Sequence, residues 1–165
     1  MESIVQFITN TLSNKISKEL IVFIISLMPL LELRGGLIAA SLLKVPYLKA
    51  AIIVIIGNIL PIPFILLLIE EILVWMEKWK FTKTFAIFLR KKAEKNKPKI
   101  DKYGFLGLTL FVGIPLPGTG AWTGSLIAAL FHMHYKKSLL SILLGIILAF
   151  IIMSIVSYGI ISNFI

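Results

Sequence analysis

Cysteine is absent from the 165 residues, which removes disulfides, thiolate zinc sites and cysteine nucleophiles from consideration. Charge is scarce as well: 15% of the residues, where a soluble domain usually carries about a quarter. Acids are the scarcer sign, with 8 Asp and Glu against 17 Lys and Arg. Two histidines, scattered serines and so few acids offer no nucleophile-and-base constellation, so an enzyme is not expected, and neither is a cofactor. The start Met1-Glu2-Ser3-Ile4 lacks the charged opening of a signal peptide, so no segment is expected to be cleaved.

Apolar side chains, in contrast, make up 58% of the chain, and the mean hydropathy is +0.97. That composition asks for a bilayer as solvent. About 20 apolar residues cross the hydrocarbon core. Ala50–Ile69 does so with Asn58 as its one strongly polar side chain, and Leu139–Phe164 does so with only Ser, Tyr and a terminal Asn as polar guests. The basic excess of +9 does not point to nucleic acid. Ten of the 17 Lys and Arg lie between Lys78 and Lys102, between two hydrophobic blocks, which is the pattern of a cytoplasmic loop drawn to an anionic leaflet. The expected location is therefore the cell membrane, crossed more than once, with the basic stretch 72–102 cytoplasmic.

In chain order, Ile4, Ile8, Leu12 and Ile16 recur four apart, predicting a short amphipathic helix over Ile4–Lys18 at the interface. Leu20–Leu31 is apolar but only about 18 Å long as a helix. Glu32-Leu33-Arg34-Gly35-Gly36 follows, and the chain turns apolar again from Leu37 to Leu43. Two short arms around a polar, glycine-containing break predict a re-entrant hairpin or a broken spanning helix. The long span carries Pro61 and Pro63, which kink a helix and free carbonyls. Trp75, Trp79, Phe81, Phe85 and Phe88 among lysines predict a second interfacial helix with aromatic anchors. The pattern then recurs: an arm from Tyr103 to Ile114, the segment Pro115-Leu116-Pro117-Gly118-Thr119-Gly120-Ala121-Trp122-Thr123-Gly124, an arm from Ser125 to Phe131, and the final span.

An offset of 88 residues superposes the halves without a gap: Pro29 on Pro117, Gly36 on Gly124, Ala40 on Ala128, Leu42 on Leu130, Tyr47 on Tyr135, Lys49 on Lys137 and Gly57 on Gly145. The Pro, Gly, Tyr and Lys coincidences carry weight, and such internal symmetry is common among secondary transporters. The expected fold is all-α and integral to the membrane, with two inverted repeats, each an amphipathic helix, a re-entrant (broken) helical hairpin and a spanning helix. The first repeat takes 1–71 (hairpin 20–43, span 49–70). A basic connector takes 72–102, and the second repeat takes 103–165 (hairpin 103–131, span 138–164). Charge does not choose between re-entrant and fully spanning hairpins. Either way twelve basic residues, the ten above with Lys136 and Lys137, stand on the loop side against Lys15, Lys18, Lys44 and Lys49.

The candidate chemistry sits at the breaks. Glu32 and Arg34 are the only charged pair within a hydrophobic stretch, and intramembrane charges usually pair and mark a pathway. Two apart on a regular helix they point away from each other; in a loop opened by Gly35 and Gly36 they converge. Arg34 is then the ligand of an anionic group and Glu32 a proton carrier or a tuner of the arginine, with a structural ion pair closing the hairpin, or a tip that reaches water, as the bland alternative. The second break is uncharged but dense in Pro and Gly, and its Pro117, Gly118 and Gly120 leave backbone amides available. A helix starting near Ala121 offers its dipole end to an anion. Thr119 and Thr123 add hydroxyls, and Trp122 walls the cavity or anchors at the interface. A tight turn where hairpin tips meet is the alternative there. Asn58 lines the pathway or bonds between helices. His132 and His134 belong to an interfacial surface sooner than to a metal site, and Glu70 and Glu71 end a span in water.

At Glu32-Leu33-Arg34-Gly35-Gly36 and at Pro115–Gly124 the sequence resembles the putative small multidrug export protein family, a branch that looks like part of the wider DedA superfamily. The likeness covers nearly the whole chain, and its second motif is the longer and more specific. It implies two inverted units and proton-linked movement of lipids, notably polyprenyl phosphate carriers. Glu32 and Arg34 match the charged positions of the first hairpin; Pro117, Gly118 and Gly120 match the turn of the second. DedA proteins usually carry an arginine-containing motif in that second hairpin, and this chain has none. The expected function is a transporter of a lipid phosphate, with proton coupling. A proton-coupled exporter of small cations, with Glu32 as the binding group, and a non-transporting scaffold are the competing classes. The expected partners are membrane lipids, an anionic lipid or small-molecule substrate, and a second copy of the chain, with no nucleic acid.

Overall fold

A computed structural model describes residues 2–12, 16–101 and 104–160, all of whose regular elements are helices. The order is α1 (Glu2–Leu12), α2 (Lys18–Leu27), α3 (Glu32–Leu42), α4 (Tyr47–Ile59), α5 (Ile62–Glu77), α6 (Lys80–Asp101), α7 (Gly104–Gly113), α8 (Ala121–Leu130) and α9 (Tyr135–Ser154), closed by a π-helical turn at Ile155–Ile160. Parts of the expected interfacial helix at 13–15, the end of the connector at 102, the start of the second hairpin at 103, and the end of the last span at 161–164 lie outside the described residues.

Local chemistry sets the boundaries. Ser17 caps α2 by accepting the Leu20 N–H at 3.3 Å, as N-cap serines do. Pro61 and Pro63 stand where a helix start has no use for the proline N–H. The long apolar stretch therefore ends one helix at Ile59 and begins another at Ile62. Two stretches are long and apolar enough to cross a membrane, Tyr47–Glu77 with 31 residues and Tyr135–Ser157 with 23. Both leave large apolar side chains such as Ile52, Phe64, Leu67, Ile147 and Ile151 exposed, an arrangement that water would penalise and lipid does not.

The polar run Glu32–Gly36 departs from the expected break. It forms the first turn of α3, and the chain breaks earlier, at Met28–Leu31. The glycines serve close approach instead of opening a loop. A Cβ on Gly36 would collide with the Ser26 hydroxyl of α2 and stand 2.9 Å from Val54 of α4. A Cβ on Gly35 would stand 2.7 Å from Leu31. Small residues at helix contacts replace hydrophobic driving force as the means of tight packing in lipid. The first helix departs as well. α1 turns Val5 and Thr9 inward, with α3 as its main neighbour, and leaves Ile4 and Phe7 exposed.

The 88-residue offset also relates hydrogen bonds. At the end of α3, Lys44 and Val45 donate to Ser41 and Ala40 at 3.0 and 2.9 Å. At the end of α8, His132 and Met133 donate to Ala129 and Ala128 at the same 3.0 and 2.9 Å. Lys44 and His132 share a left-handed φ, 54° and 51°, so both helices stop on one C-terminal motif without its usual glycine. The next helices start alike, with Ala50 bonded to the Pro46 carbonyl and Ser138 to that of His134.

α4 packs on α2, and α9 on α7. The glycines at corresponding positions let the backbones close. A Cβ on Gly57 would lie 2.9 Å from Ser26, and one on Gly145 would lie 2.6 Å from Val112 and 2.8 Å from the Thr109 carbonyl. Next to Gly145, Ser141 donates to the Phe105 carbonyl at 2.7 Å and meets Thr109 at 2.9 Å. Gly145→Val should therefore push α9 off α7 and lower stability by about 1–3 kcal/mol, the usual cost of overpacking. Thermal unfolding in detergent measures it, and an unchanged midpoint would show that the seam yields freely.

Candidate functional site

The two breaks meet, and the meeting is made by Glu32 and Arg34. Both side chains are nearly buried, at 6% and 7% exposure, in the first turn of α3. Glu32 holds a left-handed φ of 50°, unusual for a residue with a side chain. Its carboxylate spans the first two amides of α8: Ala121 N–H donates to Oε2 and Trp122 N–H to Oε1, each at 3.1 Å. α8 has no cap of its own because its N-cap residue is Gly120. Glu32 supplies that cap from 89 residues away, with a full negative charge on the positive end of the helix dipole.

Arg34 reaches the other side of the same break. Nη1 donates to the Leu116 carbonyl at 2.9 Å, and Nη2 donates to the Ile114 carbonyl at 3.3 Å and to Thr119 Oγ1 at 3.0 Å. These carbonyls lie just past the C-terminus of α7, where the dipole favours a cation. Thr119 completes the turn. Its hydroxyl lies 2.9 Å from the Ile114 carbonyl and 2.8 Å from that of Leu116, and it accepts the Leu116 N–H at 3.2 Å. Its one proton serves one carbonyl at a time, and the guanidinium covers what the hydroxyl leaves.

Gly120 makes the contact geometrically available. Its φ of 136° lies in a region that L side chains rarely adopt, and a Cβ there would overlap the Glu32 carboxylate. Gly118, at φ 82°, turns the tip and has open space around it. Pro117 is exposed beside it, and Thr123 is buried in the first turn of α8.

Among the residues singled out by sequence, Glu32, Arg34, Thr119, Gly120 and Trp122 come together here. Gly35 and Gly36 pack α3 on its neighbours, as described above. Asn58 is buried in α4, and its Oδ1 has no hydrogen-bond partner among the described residues. His132 Nδ1 lies 3.6 Å from Glu70 Oε2 at an exposed corner, away from the breaks.

Sequence reasoning foresaw free amides and a helix end near Ala121 but missed that Glu32 is the anion they hold, and missed the Ile114 and Leu116 carbonyls that answer Arg34. Backbone groups leave no mark in residue type. The one available signal was the row of Pro and Gly that keeps those groups out of helical hydrogen bonds.

The arrangement is an anion-binding helix end and a guanidinium, both at the level of the helix breaks and presently satisfied by the chain itself. A protein-family model described as putative small multi-drug export protein matches residues 32–152, a stretch that begins at Glu32 and includes every residue of this site. No curated protein and no solved structure matches the chain.

Proposed function

The chain belongs to the small multi-drug export protein family, membrane proteins described as exporters, and from that premise we propose that it carries a lipid phosphate, such as a polyprenyl phosphate, across the bilayer with a proton taken up at Glu32. The observation that carries the reading is the carboxylate of Glu32 on the two N-terminal amides of α8. A helix end that holds one oxyanion with two amides will hold a phosphate by the same donors. Glu32 is in effect a placeholder for the substrate.

The proton then acts as the key. Neutralising Glu32 weakens its charge-assisted bonds to Ala121 and Trp122 and leaves Arg34 with an uncompensated positive charge nearby. Both changes favour an incoming anion. Among the described residues, Arg34 is the cation beside Glu32 in α3, while Lys18 and Glu19 of α2, Lys49 of α4 and Lys136 and Lys137 of α9 stand in the first turns of their helices. Proton and anion would therefore bind together, and substrate binding should strengthen as pH falls. A small cation fits less well, because the carboxylate faces helix-end amides and stands beside a guanidinium.

The membrane arrangement within this proposal is multi-pass in the cell membrane, with two inverted units, hairpins that enter without crossing and the basic α6 on the cytoplasmic side. The shared hydrogen bonds at the 88-residue offset support the duplication. The lipid-phosphate choice is supported by the DedA-like motifs. The exposed tips at Leu30 and Leu116 favour a homodimer that would cover them.

The test is reconstitution into liposomes, following loss of a polyprenyl phosphate from the outer leaflet at several pH values. The wild-type protein should accelerate the loss, more so with acid outside. Glu32→Gln, neutral at every pH, should flatten that dependence. Acceleration by Glu32→Gln with the same pH profile would rule out Glu32 as the proton site. No acceleration by folded wild-type protein would turn attention to small cations or to a scaffold.

A further inference from the structure

α6 has three sides, and the rest of the protein accounts for one of them. Ala86 is fully buried, and Thr82, Leu89 and Arg90 are half-buried; at helical spacing they form one stripe. That stripe lies against α5, α7 and α8. Two bonds fasten it to the end of α5. Arg90 Nε donates to Glu77 Oε1, and the Thr82 hydroxyl donates to the Met76 carbonyl, each at 2.6 Å.

The two free sides differ in kind. Phe81, Phe85 and Phe88 share one flank of the buried stripe and are 97%, 55% and 57% exposed. Lys80, Lys83, Lys91 and Lys95 run from the opposite flank round to the outer side, all exposed, with Glu94 among them. The angular separation follows from 3.6 residues per turn. Trp75 and Trp79, both exposed, stand at the α5–α6 junction, and such residues belong at the level of the head groups. A helix with a protein side, a phenyl side and an ammonium side matches the boundary between protein, hydrocarbon and charged head groups.

We propose that this surface docks on the anionic head groups of one leaflet, and that the lipid held there steadies the second hairpin. The phenyl groups enter the acyl boundary, and the ammonium groups meet lipid phosphates. The inward stripe of α6 touches both α7 and α8, the arms whose facing ends meet Arg34 and Glu32. A docked α6 therefore restrains both arms at once. The pairing of faces selects the partner. An acidic protein or a nucleic acid would answer the lysines and leave Phe81 in water. A neutral lipid surface would cover the phenyl groups and leave the ammonium groups without counter-charge. A second copy of the face would set lysine against lysine. None of this depends on what the protein carries.

The chain has no cysteine, so Thr84→Cys, at an exposed position on the outer side of α6, carries a single fluorescent label. The vesicles contain equal parts of phosphatidylcholine and phosphatidylglycerol, with a nitroxide on the acyl chain of one lipid or the other. Phosphatidylglycerol should be preferred at the label by about five-fold, the contribution of one basic residue near an anionic surface. Molar salt should remove the preference, because exposed charges are screened. Replacing Lys80, Lys83, Lys91 and Lys95 together by Gln should remove it as well, in a protein that still folds because all four side chains are exposed. Amide hydrogen exchange at Ala121 and Trp122 reads the hairpin. In wild type it should be slower in the mixed vesicles than in pure phosphatidylcholine by a similar factor, and in the four-fold variant equal in both. Equal quenching by the two lipids would overturn the proposal, and so would a preference that survives the four substitutions. Exchange indifferent to lipid charge in the wild type would overturn the link to the hairpin. Neither measurement involves transport, so a protein that moves no polyprenyl phosphate refutes the transport reading and leaves this one to stand or fall by itself.

Discussion

Arg34→Met is expected to abolish transport and to destabilise the protein by about 3–5 kcal/mol, the range seen when one member of a buried charge pair is removed. Methionine preserves the length and apolar stem of the side chain but donates no hydrogen bond. The Leu116 and Ile114 carbonyls lose their Arg34 donors, and Thr119 can serve only one of them at a time. The Glu32 carboxylate meanwhile stays buried without its neighbouring cation. Arg34→Lys should recover little. An ammonium is a point charge and does not reproduce a planar fork whose two nitrogens reach three separate oxygens. Unfolding in detergent and transport in liposomes are both needed. If Arg34→Lys restores full stability and transport, the fork geometry is irrelevant and charge alone matters.

Gly120→Ala is expected to be nearly as damaging, by a different route. The backbone there sits at φ 136°, and holding a side-chain-bearing residue in such a region costs about 1–3 kcal/mol. The new methyl group would also occupy the space of the Glu32 carboxylate, pushing it off the α8 amides and forfeiting a cap worth about 1 kcal/mol. Gly118→Ala is the internal control. It too has a positive φ, 82°, but nothing lies within 4 Å of its would-be Cβ. The difference between the two alanine variants therefore reports the contact with Glu32 together with the extra strain of the extended, positive-φ backbone at Gly120. Equal losses in stability would show that the carboxylate moves aside freely.

The sequence made some of this legible and hid the rest for physical reasons. Glu32 and Arg34 stood out because charge inside an apolar stretch is costly, and the structure places both at the second break. Pro61 and Pro63 announced the kink because proline chemistry is local. The offset of 88, set by Pro, Gly, Tyr and Lys, is also the offset at which the ends of α3 and α8 share their hydrogen bonds.

Gly35-Gly36 misled. A glycine pair next to charges reads as a loop, yet here the pair allows two helices to touch, and a single chain carries no sign of which need applies. The inward face of α1 was hidden for a related reason. Surrounded by lipid on one side and protein on the other, a helix is apolar on both, so periodicity picks out Ile4 as readily as Val5. The carbonyls that answer Arg34 were invisible because they belong to the main chain, whereas the Pro and Gly of the second break did announce the free amides near Ala121.

The clamp also has a history within each molecule. Its two halves are separated by between 80 and 90 residues. A ribosome adding about 5–20 residues per second needs roughly 4–18 s to make the second half after the first. During that interval the helix ends that will neutralise Glu32 and Arg34 do not yet exist. A nascent chain cannot leave such charges in hydrocarbon without cost. The first half therefore bears that cost, or is held in another pairing, until Ala121 and Trp122 have been made.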